Sequence, residues 1–483
     1  MTRRTLTCLF MSLIFISGCT LMPKYTRPDA PVPEKWPDGT AYKVPMASLD
    51  APLASDMEWR AFFTDKGLQQ SIEMALAYNR DLRVAALNVQ KARAYYRIKR
   101  ADLLPTIDAA ASGYRGGVPA DLSGTGNHET VAEYRAELGI TAWEIDFFGR
   151  IRSLKKAALE RYLATESARR GAQIALVSEV ANTYLTLAAD RETLELARST
   201  LETRKATYDL IRRRFEGGLA PELDLRQAQT RVAAAQVDVA RYTELVARDR
   251  NALNLLVGTS LPDGLLKGTL SDIEPLHAIS PGTASEILLN RPDILQAESL
   301  LKAANANIGA ARAALFPRIS LTSAFGTASA DLSGLFEAGS DAWHLAPQAA
   351  LPIFAPGMWA ALDVSRVEKE IVLAQYEKAI QVAFKEVADA LAQKGMLGEQ
   401  INAQKSLVDA TTVAYRLSMA RYDQGVDTYL TVLDAQRSLY TAEQGLIALR
   451  LAELANQVRL YAVMGGGGKP GPAYISDVSG ADQ

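Results

Sequence analysis

Cysteine is nearly absent: 483 residues contain only Cys8 and Cys19. Neither a disulfide framework nor a thiolate zinc site can be built from the rest of the chain. Histidine is as scarce. His128, His277 and His344 stand far apart and lack metal-ligand spacing. Neither sign of charge dominates, with 53 Lys and Arg against 55 Asp and Glu, so no nucleic-acid partner is indicated. A Walker-type phosphate loop, a Gly-x-Ser-x-Gly elbow and a His-Glu-x-x-His pair are all missing. No enzyme, no cofactor and no energy source is therefore expected. After the first twenty residues, no window is apolar for long enough to cross a bilayer as a helix.

What is present starts at the N-terminus. Arg3 and Arg4 precede an apolar run from Leu6 to Ile16, which reads as a removable signal peptide. The run ends in Ile16-Ser17-Gly18-Cys19, which resembles a bacterial lipobox. That motif implies cleavage before Cys19 and a lipid on its thiol, and Thr20 in place of Asp implies sorting to the outer membrane. Two or more acyl chains anchor a protein firmly. A chain that also spans that membrane has to use β-strands.

The chain repeats itself at a spacing of about 210 residues. Asn79-Arg80-Asp81-Leu82 corresponds to Asn290-Arg291-Pro292-Asp293-Ile294. Arg214-Phe215-Glu216-Gly217-Gly218-Leu219 corresponds to Arg421-Tyr422-Asp423-Gln424-Gly425-Val426. Each copy predicts a helix, two strands, a very long helix, a Gly turn and another long helix. No proline interrupts Arg150 to Phe215, so that helix should run on the order of 100 Å. A similar one is predicted from Trp359 to Asp423. Ile174, Val177, Ala181 and Tyr184 step by three and four, as do Ile380, Phe384, Val387 and Leu391, and also Ile447, Leu451, Leu454, Val458 and Tyr461. That is coiled-coil spacing, and from these segments alone a soluble coiled-coil rod fits equally well.

Four runs alternate with a period of two. From Tyr134, residues Ala136, Leu138, Ile140 and Ala142 take one face, and Arg135, Glu137, Gly139 and Thr141 take the other. A run from Thr106 precedes it. In the second copy Ile319, Leu321 and Phe325 alternate with Arg318, Ser320 and Thr322. Likewise Trp343, Leu345, Ala349, Leu351 and Ile353 alternate with His344, Gln348 and Ala350. An apolar and a polar face suit a membrane barrel wall with a wet interior. The polar, Gly-rich stretches Gly116–Thr130 and Ala330–Asp341 are expected to be external loops. Tyr134, Trp143 and Trp343 are expected at the interfaces. Four strands do not close a barrel, whose smallest bacterial form has about eight. Three copies would supply twelve, whereas an ordinary soluble sheet would be covered by helices.

The strings Ala142-Trp143-Glu144-Ile145-Asp146-Phe147-Phe148-Gly149-Arg150, Arg291-Pro292-Asp293-Ile294, Ala304 to Pro317 and Tyr429 to Ser438 resemble the outer membrane factors of the TolC superfamily. Together with the lipobox, they resemble its lipoprotein branch. The resemblance covers nearly the whole chain. It implies a homotrimer with a twelve-stranded transmembrane β-barrel, four strands per protomer, continuous with a long periplasmic α-helical barrel. It also implies the exit duct of a tripartite efflux system, with a periplasmic adaptor (membrane fusion) protein, an inner-membrane RND pump and outer-membrane lipid as partners. The division expected is 1–18 signal peptide, 19–78 anchor and equatorial segment, 79–260 first repeat, 261–290 equatorial link, 291–464 second repeat and 465–483 a disordered tail.

The resemblance places a periplasmic gate at Leu430, Asp434 and Arg437, whose steps of four and three share a helical face. A Leu ring would constrict, and a carboxylate ring would favour cations. The corresponding first-copy residues are Leu223, Gln227 and Thr230. On the residues alone, Asp434 and Arg437 also fit a plain surface pair. The adaptor-contact tips implied are Gly218, Leu223, Gly425 and Val426. A type I protein-secretion channel and a non-spanning lipoprotein scaffold remain as alternatives.

Overall fold

The computed structural model describes residues 20–43, 51–266, 268–273, 276–280, 282–283 and 288–468. Cys19, the segment 1–18, the tail beyond 468 and parts of the link 261–290 lie outside the described residues. The elements run α1 (Trp59–Phe62), α2 (Lys66–Tyr78), α3 (Arg80–Ala101), β1 (Ile107–Val118), β2 (Glu129–Ile145), α4 (Arg150–Glu216) and α5 (Glu222–Val257). After three-residue turns at Asp263–Leu265 and Leu270–Asp272 come α6 (Pro292–Ala313), β3 (Arg318–Ser329), β4 (Asp341–Ala350), α7 (Pro356–Asp423) and α8 (Tyr429–Val463). α4 and α7 contain 67 and 68 residues. Each is about 100 Å long at ~1.5 Å per residue, roughly six mean helices end to end. α7 begins three residues before the predicted Trp359, because Pro356 occupies the first helical position, where a missing N–H costs nothing.

The chain divides into two compact units. Among the described residues, the first unites 20–29, 88–165 and 296–376. Its centre is one antiparallel sheet in the order β1-β2-β3-β4. Register puts one apolar face across the strands: Ala109 is opposite Leu138, Leu138 opposite Phe325, and Phe325 opposite Trp343. Ile140, Ser323 and Leu345 form the next row. The other face carries Asp108, Glu137, Arg135 and His344. No helix covers the apolar face: Leu138, Phe325, Trp343 and Leu345 are 60–74% exposed. This corrects the alternative of a soluble sheet packed on helices.

Two expectations about the strands need correction. β2 starts at Glu129 and β1 reaches Val118, so the loop between them spans only 119–128. Ala142 does not continue the row of Leu138 and Ile140. Ile140 faces Ser323 but Trp143 faces Leu321, so β2 carries one extra residue. Ala142 absorbs it at φ 49°, and its N–H donates to Thr322 Oγ1 at 3.1 Å. The bulge turns Trp143 onto the apolar face that a strict alternation would deny it. Leu351 and Ile353 lie past the end of β4 and are not part of its alternation.

In the same unit the N-terminal segment lies against α6. Arg27 donates to both carboxylate oxygens of buried Glu298 at 3.0 and 2.5 Å, and Asn305 donates to the Pro23 carbonyl at 2.7 Å.

The second unit unites the described residues within 30–87, 166–295 and 377–468. Its core joins α1 and α2, the turns around Leu266 and Leu270, the C-terminal end of α5, the middles of α4 and α7 and the C-terminal half of α8. Phe62 and Tyr461 are fully buried and stack with centroids 4.0 Å apart. The Tyr461 hydroxyl donates to the Met57 carbonyl at 2.8 Å. Burying two such rings stabilises by several kcal/mol in total. Asn79 caps α3, its Oδ1 accepting from Leu82 N–H at 2.8 Å. Arg291 is buried and bridges Asp293 and Glu386 at 2.7 and 2.8 Å. Val177, Ala181, Tyr184, Val387 and Val458, from the predicted stripes, are among the buried residues.

Candidate functional site

The turn between α4 and α5 and the turn between α7 and α8 have the same construction. Leu219 N–H donates to the Arg214 carbonyl at 2.7 Å, and Val426 N–H to the Arg421 carbonyl at 2.9 Å. Gly218 and Gly425 stand at φ 71° and 74°. A six-to-one bond around a left-handed residue is how a long helix ends abruptly, and glycine adopts that conformation without steric cost.

Below the turns a small core holds them together. Ile211, Ala228, Tyr422, Tyr429, Val432 and Leu433 are buried there. Tyr422 and Tyr429 have ring centroids 5.3 Å apart. Burial pushes both phenols above their ordinary range. Arg214 lies 5.3 Å from the Tyr422 ring centroid and bonds Asp423 of the other hairpin at 3.3 Å. Arg421 instead closes on Asp427 of its own turn at 2.5 and 3.1 Å, which raises the guanidinium and holds the carboxyl low.

The candidate gate residues follow from α8 having a buried stripe. Tyr429, Val432, Leu433 and Gln436 face the core. Leu430, Asp434 and Arg437 therefore face outward together: Leu430 is 62% exposed, and both charged side chains are 65% exposed. Arg437 donates to Asp434 within the chain. Leu223 and Val426 are likewise exposed at the turns. Gly218, Leu223, Gly425 and Val426 thus sit at the hairpin ends, and the three gate candidates sit together on one face of α8. The Arg214–Asp423 and Arg421–Asp427 pairs were not singled out from the sequence. The signal available was Asp427 standing where the first copy has Ala220.

A second polar cluster lies where the strands meet the helices of the first unit. Glu144, at the end of β2, is half-buried and bridges Arg150 at 2.7 Å and Arg318 at 2.8 Å. Asp146 caps α4 by accepting from the N–H groups of Ile151 and Arg152 at 3.2 and 2.9 Å. Among the described residues no cluster of His, Cys, Asp and Glu fits a metal ion. No described helix is long and apolar enough to cross a membrane.

A four-stranded sheet with one apolar face, one polar face and two open edges leaves backbone groups unpaired in lipid, each at a cost of several kcal/mol. Together with helices of this length, it defines a channel-forming protein of the outer membrane whose wall is completed by further copies of itself.

The family profile described as outer membrane efflux protein matches residues 71–259 and 283–466. The chain belongs to that family. It is 49% identical over 465 residues, 96% of each chain, to a Pseudomonas putida protein named probable efflux pump outer membrane protein TtgC. It is 41% identical over 462 residues, 95% of each chain, to outer membrane protein OprJ of Pseudomonas aeruginosa. Among solved structures, the open state of the Neisseria gonorrhoeae MtrE outer membrane channel superposes with a TM-score of 0.83 at 37% identity, covering 93% of this chain and 99% of that one. The protein is an outer-membrane exit duct for efflux. It works as a homotrimer whose twelve strands form the transmembrane barrel. The non-spanning scaffold is thereby set aside.

Proposed function

We propose that three copies enclose a passive water path that carries drugs, solvents or other small toxic compounds outward, fed by an RND-type inner-membrane pump through a periplasmic adaptor. The observation that carries this reading is the uncovered, two-faced sheet with open edges at β1 and β4. Twelve strands fall between the eight whose interior side chains fill and the sixteen that leave a wide channel. The polar face, with Glu137, Arg135 and His344, lines the path. The chain itself performs no chemistry and uses no cofactor. Efflux is favoured over protein secretion by the names that its relatives carry.

In this reading Leu430, Asp434 and Arg437 narrow the periplasmic end, and Gly218, Leu223, Gly425 and Val426 receive the adaptor. The outward placement of the three gate side chains supports it. Cys19 carries the lipid anchor, and the two repeats, 79–260 and 291–464, arose from one unit. Planar-bilayer recording tests the gate. Replacing Asp434 and Arg437 together by Ala should raise single-channel conductance, and unchanged conductance would remove these residues from the gate.

A further inference from the structure

The first residues described in the chain follow a direct path. Asn305 donates to the Pro23 carbonyl at 2.7 Å. Met22 lies so close over Gly309 that a Cβ there would stand 2.7 Å from its Cα. Arg312 donates to the Leu21 carbonyl at 3.4 Å. Each step back along the N-terminal segment thus climbs about one turn toward the C-terminal end of α6. Thr20 then rests on Gly149, where an added Cβ would be 3.0 Å from its Cα. Gly149 adjoins Phe148, whose ring meets Phe316 just beyond the C-terminus of α6.

Those two rings open a cavity. Phe148 and Phe316 stack with centroids 4.9 Å apart. They wall a space of about 460 Å³ together with Pro317, Ala314, Leu351 and Met358, within the roughly 300–1,000 Å³ range of small-molecule pockets. Its charged groups are already engaged, Glu144 with Arg150 and Arg318 and Asp146 with Arg152, which leaves an apolar wall without an unanswered charge. The cavity lies at the helix end of the strands. On the barrel reading, that is the periplasmic rim, level with the inner leaflet.

We infer that this cavity is the seat of an acyl chain carried by Cys19, so that the anchor lies in a groove of its own protein before it enters the bilayer. The inference rests on the proposed lipidation of Cys19. A seated chain would fix where the N-terminal segment leaves the membrane, and would hold β2, β3 and α6 at their shared junction.

A photo-crosslinking amino acid placed at Met358 of the full chain in cell envelopes tests it, with a second probe at Ala314 on another wall and a third at Leu345 on the membrane face. The expected result is an adduct from positions 358 and 314 to the acylated N-terminal peptide of the same polypeptide, at least five-fold above that at 345. The adduct should vanish when a plain secretory signal replaces residues 1–18 and Cys19→Ala removes the thiol. Free phospholipid captured equally by both chains would overturn the seat in favour of bulk lipid. Adducts to a second polypeptide would overturn it in favour of a neighbouring copy. The mass of the mature N-terminal peptide, read in parallel, separates the two ideas: an unacylated peptide sinks the lipidation reading itself, whereas an acylated peptide without the adduct sinks only the groove.

Discussion

The two hairpin turns share a backbone and differ in what they hold. Both end a helix of nearly 70 residues with a glycine at φ close to 70° and a six-to-one bond. The second turn is self-contained, because Asp427 answers Arg421 at 2.5 Å. The first turn has Ala220 at that place, and its Arg214 reaches over to Asp423 of the second hairpin. On the helix that follows, the second copy exposes Leu430, Asp434 and Arg437, where the first has Leu223, Gln227 and Thr230. Geometry common to both copies therefore belongs to the fold. The charge found in only one is where function was free to diverge.

The largest break in this comparison should come from the charged copy. Asp434→Ala with Arg437→Ala should raise conductance several-fold in planar bilayers, whereas Gln227→Ala with Thr230→Ala should change it little. An equal response from both copies would mean that the hairpins gate alike. Building the carboxylate into the first copy with Gln227→Asp should increase cation selectivity measured by reversal potential, since a second carboxylate ring would meet the permeating ion.

The shared backbone should respond equally. An added Cβ at Gly218 or Gly425 meets no atom within 4 Å, so only the left-handed strain remains. Gly218→Ala and Gly425→Ala should each cost about 1 kcal/mol, visible as matched drops in melting temperature. Unequal drops would show that the turns bear different loads.

Away from the turns, α4 and α5 bring Asp190 and Asp249 together, with Asp249 pushed up to about 6 by burial and by the neighbouring carboxyl. Its unfolded value is near 3.9. The fold thus binds the proton more tightly. The stability this contributes is complete below about pH 4 and lost as pH rises through about 6. Asp249→Asn keeps a hydrogen-bonding side chain and removes the titration. The variant should exceed the parent at pH 8 by about 1 kcal/mol, allowing for solvent screening, and the gap should shrink toward pH 5. Thermal melts at the two pH values measure it.

The smallest effect should separate the two arginines. Arg421→Ala should leave conductance unaltered because its pair is local. Arg214→Ala should raise it slightly by loosening one hairpin from the other.

Much of the fold was legible because it rests on two periods. Leu138-Ile140 and Ile319-Leu321 alternate as wall strands must, and the three-four steps through Val177, Ala181 and Tyr184 end up buried. The bulge at Ala142 was not legible. One extra residue leaves no mark on composition, and the positive φ falls on an alanine. The sequence puts the start of β2 five residues late, since His128, Glu129 and Thr130 read as loop polarity rather than as a strand end. Glu144 belongs to the family-like string Ala142–Arg150, but its partner Arg318 lies 174 residues away, and no spacing rule reaches that far. For the gate, spacing alone put Leu430, Asp434 and Arg437 on one face. That the face points outward depends on Tyr429, Val432 and Leu433 taking the core. The Cys19 anchor rests on its motif and falls outside the described residues.

The central claim is that one copy cannot seal its own membrane wall. Mass measurement of the purified protein in detergent, paired with ion flux after reconstitution into liposomes, tests it most directly. The account predicts a particle of three chains that makes the liposomes permeable. A stable single chain that inserts and leaves them tight would contradict it.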